Sequence, residues 1–267
     1  MKLYRFEKNE KCKLETIEEK SFWLSPPEGF NDLKDSLLEL IYLTADETTY
    51  HALKEGHDVI NNLANNYHFP FPKGIQDKIL NLLSLYPRNS YPRLRDISDA
   101  EEQRRAIVRE IGAHIRATSG VCCFFQGKPD HPLMWAHYAN SHNGFCVEYN
   151  VDIKNVQHLF EVNYTTKPEA PSIEELLLCP RHSIRRLLTR KSHEWNYEKE
   201  YRLIYINELN PQEFESHKKG KKIPLPESFK IEKIIKGDRF ENGNCGKNIE
   251  DLGYPVISYE NFINENP

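Results

Sequence analysis

Apolar and polar positions alternate at the very start of the chain, KLYRF, and the alternation predicts a short strand. The pattern returns at SFWLS (21–25), where Phe22 and Leu24 fall on one face and Ser21, Trp23 and Ser25 on the other. Pro26, Pro27 and Gly29 end that strand. FNDLKDSLLELIYL then reads as a helix capped by Asn31 or Asp32. From about 45 to 118 the apolar spacing is helical, and Ile107, Ile111 and Ile115 form an i, i+4, i+8 stripe.

Strand patterns resume at GVCCFF (120–125), GFCVEYNV (144–151), FEVNY (160–164), EYRLIYI (200–206), FKIEKIIKG (229–237) and YPVISY (254–259). In the second of these, Phe145, Val147, Tyr149 and Val151 line one face and Cys146 and Glu148 the other. LMWAHYANSH reads as a short helix, SIEELLLCPRHSIRRLLTRK as a helix broken near Pro180, and SHKKGKK (216–222) as a polar turn. Strands and helices are mixed without βαβ alternation. The expected fold is one α+β domain over 1–267, with a mixed, mainly antiparallel sheet core and a helical insertion or subdomain at 45–118.

Composition narrows the class. The 267 residues are 39% hydrophobic, 11% aromatic and 28% charged, which suits a globular protein with a substantial core. No apolar run reaches the roughly 20 residues of a membrane helix, and MKLYRFEKNEKCKLE has no signal-peptide character. The six cysteines include no CxxC pair, so reduced thiols in a cytoplasmic protein are expected. A net charge of -4 argues against a nucleic-acid-coated surface but leaves room for a local basic patch.

Four clusters could carry chemistry. Glu198, Glu200 and Arg202 sit where the apolar run EYRLIYI begins, and strand spacing puts them on one face. Two close carboxylates raise the pKa of at least one unless a cation offsets them, and Arg202 can be that cation; the alternative is a solvated loop pairing with Lys191, Lys199 or Arg202. Trp135, His137, Tyr138 and His142 lie within eight residues and could orient a planar ring or dock a loop. His137 and His142 are five apart, on different helix faces, so no metal is expected. Arg5 beside Leu3 could grip a phosphate or form an edge salt bridge, with Ser25 and Asn31 following. Arg181, Arg185 and Lys191 could form part of a basic helix face suited to a solvated surface or a polyphosphate partner.

Three stretches together resemble a widespread group of uncharacterised bacterial proteins known as a domain of unknown function: WLSPPEGFND (23–32), LMWAHYANSHNGFCVEY (133–149) and EWNYEKEYR (194–202). That group usually has Pro where Leu33 stands, and often Ser where Phe125 stands. The order of motifs also resembles the ADP-ribosyltransferase fold, with an Arg or His on an early strand, a Ser- or Tyr-bearing strand, and Glu-x-Glu at the start of a late one.

This second resemblance implies an NAD-consuming transferase, a toxin or phage-defence effector, with NAD as co-substrate. Glu200 would stabilise the ribose cation and Glu198 would orient or deprotonate the acceptor. Arg5 would hold the diphosphate, Tyr138 or Trp135 would pack on nicotinamide, and Ser25, Asn31, His137 and Arg202 complete the expected NAD site. The basic stretch 181–191 would steer a nucleic-acid acceptor, a protein acceptor being equally open. The alternatives are a non-catalytic ligand-binding or sensor module, and a metal-dependent nuclease using His137, His142, Glu148 and the acidic cluster.

Overall fold

The computed structural model describes residues 1–27, 30, 73–75, 77–78, 106, 110–115, 118–166, 180–206, 220–242 and 246–265. The predicted helix at 31–44, most of 45–118 and the part of 172–191 before 180 lie outside them. Within the described part of 45–118, residues 110–115 are helical, and Ile111 and Ile115 are fully buried as their spacing predicts.

The chain opens with β1 (Lys2–Glu7), α1 (Lys11–Glu18) and β2 (Ser21–Leu24). It continues with β3 (Ser119–Phe125), α2 (Pro132–Tyr138), β4 (Phe145–Val151), β5 (Leu159–Glu161) and β6 (Asn163–Thr165). Next come α3 (Pro180–Leu188), β7 (Arg190–Ser192), a 3-10 segment (His193–Glu198) and β8 (Glu200–Ile206). The last elements are β9 (Lys221–Pro224), β10 (Phe229–Lys236), a 3-10 turn (Ile249–Leu252), β11 (Val256–Ser258) and α4 (Tyr259–Glu265). The result is α+β, as expected. Seven strands form one sheet in the order β11-β10-β4-β1-β3-β8-β5, antiparallel except for the β10–β11 pair.

The first strand therefore occupies the middle of the sheet. Both of its faces are covered, which is why Leu3, Tyr4 and Phe6 are all buried although successive side chains point in opposite directions. One face packs on α1 and β2, where Phe22 meets Phe124, Tyr149 and Phe229 edge-on at 5.2–5.5 Å. The other face carries Tyr4, Phe6, Phe125 and Cys146 against Met134 and Trp135 of α2 and Phe262 of α4.

Two expectations are corrected. FEVNY is not one strand: Val162 is buried and donates its backbone N–H to Glu200 O at 2.9 Å, and the chain passes there from β5 on β8 to β6, which pairs with β7 in parallel. Lys221 and Lys222 do not lie in a polar turn. They belong to β9, paired with Leu24 and Trp23 of β2, and Ile223 packs against the core between the lysine and proline positions.

Candidate functional site

A cleft of about 560 Å³, its open mouth included, lies on the α2 face of the sheet. Tyr4 and Phe6 of β1 and Cys123 and Phe125 of β3 line it from the sheet. From α2 come Met134 and Tyr138, an i, i+4 pair on one stripe of the helix. The neighbouring stripe, Trp135 and Ala139, is turned into the core.

Glu198 and Glu200 both reach the cleft, though not by strand alternation. Glu198 ends the 3-10 segment, where positions three apart eclipse, so Trp195 and Glu198 face the cleft together. Lys199 then adopts a left-handed conformation (φ 40°, ψ 52°), which re-aims the backbone so that Glu200, the first residue of β8, faces the same way. The register of β8 on β3 sets Glu200 opposite Phe125 and Arg202 opposite Cys123.

The carboxylates are buried, not solvated: Glu198 is 2% and Glu200 4% exposed. Arg202, completely buried, donates through Nε to Glu200 Oε1 at 2.7 Å and through Nη2 to Oε2 at 3.1 Å, while its Nη1 donates to Leu188 O at 2.7 Å. Lys191 donates through Nζ to Glu198 Oε2 at 2.5 Å and to Glu200 Oε2 at 3.2 Å. Tyr138 donates its hydroxyl to Glu198 Oε1 at 2.6 Å. Lys191 also lies 5.0 Å from the Trp195 ring centroid, and Arg202 lies 4.9 Å from that of Phe30.

These environments drive the two acids apart. Burial opposes the ionisation of Glu200, but Arg202 and then Lys191 overcome it and hold the carboxyl at about 2, below its ordinary 4.5. Burial dominates at Glu198 and raises its pKa, with Glu200 adding to the rise and Lys191 opposing it. Tyr138 is held neutral, by burial first and by Glu198 second. The surroundings thus favour the charged form of Glu200 and the neutral form of Glu198, the kind of divergence from which acid–base roles are built.

The other predicted site residues are scattered. Arg5 lies on the opposite face of the sheet: it pairs with Glu7 at 2.5 Å, contacts Cys122 Sγ, and sits 5.9 Å from the Phe22 ring. It cannot hold a ligand bound beside Glu200, because β1 alternates and Tyr4 and Phe6 are the residues it turns toward the cleft. Trp135 is wholly buried, donates its indole N–H to Pro129 O at 2.6 Å and stacks on His142 at 4.9 Å, so of the two expected ring partners only Tyr138 lines the cleft. His137 is exposed, with its ring 6.0 Å from that of Trp195. Ser25 bridges to Val121 through its backbone, away from the cleft lining, and Asn31 lies outside the described residues.

Lys191 is not on the basic helix face. It follows on β7 and points inward, while Arg185 on α3 covers the Phe160 ring at 4.8 Å. Among the described residues no three His, Cys, Asp or Glu side chains group as metal ligands. Of the trio the nuclease reading requires, His137 is exposed, His142 stacks on Trp135 and Glu148 pairs with Lys2 at 2.8 Å.

Sequence reasoning names Lys191 only as a possible partner of the glutamates in a solvated loop or as part of a basic helix face, whereas the pairing is buried, and it misses Trp195 as part of the wall. Trp195 lies inside EWNYEKEYR, and a 3-10 reading of that stretch would have paired it with Glu198. No described helix is long and apolar enough to cross a membrane. Comparison with curated proteins and with solved structures yields no match. Residues 134–203, which carry Tyr138, Lys191, Trp195, Glu198, Glu200 and Arg202, match the family model described as a protein of unknown function, DUF2971.

Proposed function

We propose that the chain is an NAD-consuming, ADP-ribosyltransferase-like enzyme working in the aromatic cleft. The observation that carries this reading is the pair of buried carboxylates, one gripped by Arg202 and the other bonded by Tyr138 and Lys191, lining a cleft with aromatic rings. A pyridinium ring is flat and cationic, and Tyr138, Trp195 and Phe125 offer it π faces. The ribose would then point toward Glu198 and Glu200.

Cleavage breaks the bond between ribose C1′ and the nicotinamide nitrogen. The electron pair leaves with nicotinamide, which becomes neutral, and positive charge develops on the ribose. Glu200, kept ionised by Arg202, supplies a fixed negative charge facing that cation. Glu198 takes the proton from the acceptor nucleophile as the nucleophile bonds to C1′. The diphosphate is not assigned to Arg5, and the acceptor is a nucleic acid or a protein.

One observation favours a second reading, a non-catalytic ligand-binding module. Glu200 already accepts three hydrogen bonds from Arg202 and Lys191 and interacts with the Cys123 thiol, which fills a carboxylate's roughly four acceptor positions. Incubation with NAD and chromatographic detection of free nicotinamide separates the two. Release of nicotinamide supports the enzyme; saturable NAD binding by calorimetry without release supports the binding module.

A further inference from the structure

We infer that Lys191 is the positioning residue that keeps Glu198 in its proton-accepting form and aimed into the cleft, an inference that rests on the reading of the cleft as a site of glycosidic cleavage. A carboxylate buried as deeply as Glu198 takes up a proton unless a cation compensates it. Among the described residues, the groups around it come from five elements. Tyr138 of α2 donates a hydrogen bond but carries no charge at neutral pH. Tyr164 of β6 accepts the Glu200 backbone N–H through its hydroxyl at 2.9 Å. Glu200 of β8 is a like charge and works against ionisation, and Arg202 donates to Glu200 and to Leu188 O. Tyr197, on the same 3-10 segment, is half-buried with its ring stacked on His131 at 5.4 Å. Among the described residues, Lys191 is the cation that bonds Glu198, at 2.5 Å.

The backbone fixes where that ammonium stands. Lys191 is the middle residue of β7, paired with Tyr164 of β6, and alternation turns it inward between half-buried Arg190 and Ser192. Its Nζ spans both carboxylates and stands 5.0 Å from the Trp195 ring centroid, and Lys191 and Trp195 both line the cleft. An ammonium has three donors, so it can serve both acids at once without leaving either. Lys191 touches the substrate through neither bond: it acts through Glu198.

The experiment uses the full chain carrying 13C-carboxyl-labelled glutamate, with E198Q assigning the Glu198 resonance. The Glu198 titration is followed by NMR in wild type, Lys191→Met, Lys191→Gln and Lys191→Arg. The expected result is that Met and Gln raise the midpoint by at least about one pH unit, a tenfold change in the acid dissociation constant, while Arg restores the wild-type midpoint. Single-turnover nicotinamide release should show its acid limb moving with the same midpoint. A Glu198 midpoint unchanged in folded Lys191→Met or Lys191→Gln overturns the inference, as does an Arg variant that behaves like Met. If wild type releases no nicotinamide, the cleavage reading fails, while the NMR titration still decides whether Lys191 governs Glu198.

Discussion

Arg202 grips Glu200 through two hydrogen bonds, 2.7 and 3.1 Å long, although the two side chains leave the same strand only two residues apart. Arg202 has no solvent exposure, and it also donates to Leu188 O. Substituting Glu200→Gln would remove the carboxylate charge that this buried guanidinium is paired with. Breaking one partner of a buried ion pair costs about 3–5 kcal/mol, and denaturant unfolding of the variant should show a loss of that size. A loss below about 1 kcal/mol would mean that the pair is not closed in solution.

Glu198→Gln is the cleaner probe of chemistry. Lys191 keeps Glu200 as a counterion, and Tyr138 can still donate to the amide oxygen. The variant should unfold close to wild type yet lose roughly 10²–10⁴ in nicotinamide release, the usual worth of a general base. Wild-type turnover by this variant would remove Glu198 from the mechanism.

Much of this framework was legible in the chain itself. KLYRF, SFWLS, GVCCFF, GFCVEYNV, EYRLIYI and FKIEKIIKG each hold a strand of the large sheet or of the β2–β9 pair, whereas FEVNY divides between β5 and β6. Glu198, Glu200 and Tyr138 were picked out from their residue types and spacing, and they meet in one cleft. What periodicity could not give was the face on which each piece lands. Arg5 was placed correctly beside Leu3, but the side of the sheet that Leu3 faces depends on the packing of α1 and β2, which is nonlocal. The burial of Lys191 was hidden for a similar reason: its pairing with the glutamates was an open alternative, but a lysine after RRLLTR reads as more surface charge, and the β6–β7 pairing turns it inward.

Acid should destabilise the fold through Glu200. Its carboxyl falls from an ordinary 4.5 to about 2, so the stability it contributes is present above pH 4.5 and is lost as pH falls from there toward 2. Glu7 has the same sign: burial opposes its charge, but Arg5 and Lys13 hold its pKa low. Glu198 has the opposite sign, since a raised carboxyl favours the fold below its ordinary value and less so as pH rises through the raised one. Melting temperatures measured from pH 5 down to pH 2 should fall in wild type and fall less steeply in Glu200→Gln. Parallel curves would contradict the assignment.

Arg5→Met tests the division of the sheet into two faces. Arg5, Glu7 and Lys13 form a network under α1, with Lys13 Nζ at 2.9 Å from Glu7. Removing the guanidinium leaves Glu7 one cation, and the melting temperature should drop by several degrees, a 1 kcal/mol loss being worth about 2–4 °C at this chain length. Any ligand that binds in the cleft should keep its affinity within about threefold, less than the tenfold that 1.4 kcal/mol represents. A selective loss of NAD affinity without loss of stability would return Arg5 to the binding site.

The HNGF segment that links α2 to β4 is shaped by packing, and Gly144 is its tightest point. Asn140, Ser141 and His142 run through the left-handed region (φ 47°, 53° and 68°), which brings the His142 ring flat onto Trp135 at 4.9 Å. Gly144 then donates its N–H to Ala139 O at 2.8 Å, and a Cβ there would stand 2.1 Å from the Glu7 carbonyl oxygen. The obstacle is backbone at the end of β1, so it cannot swing aside as a side chain would. Gly144→Ala should cost about 1–3 kcal/mol, the usual penalty for overpacking. Gly74→Ala, where nothing described lies within 4 Å of the added Cβ on a helical residue, should be neutral or stabilising by up to about 1 kcal/mol. Because α2 carries Tyr138, the strain at Gly144 should also loosen the bond to Glu198 and lower nicotinamide release, an effect that Gly74→Ala should not share. Equal stability of the two alanine variants by calorimetry would show that the turn relaxes freely and that Gly144 is dispensable for holding α2.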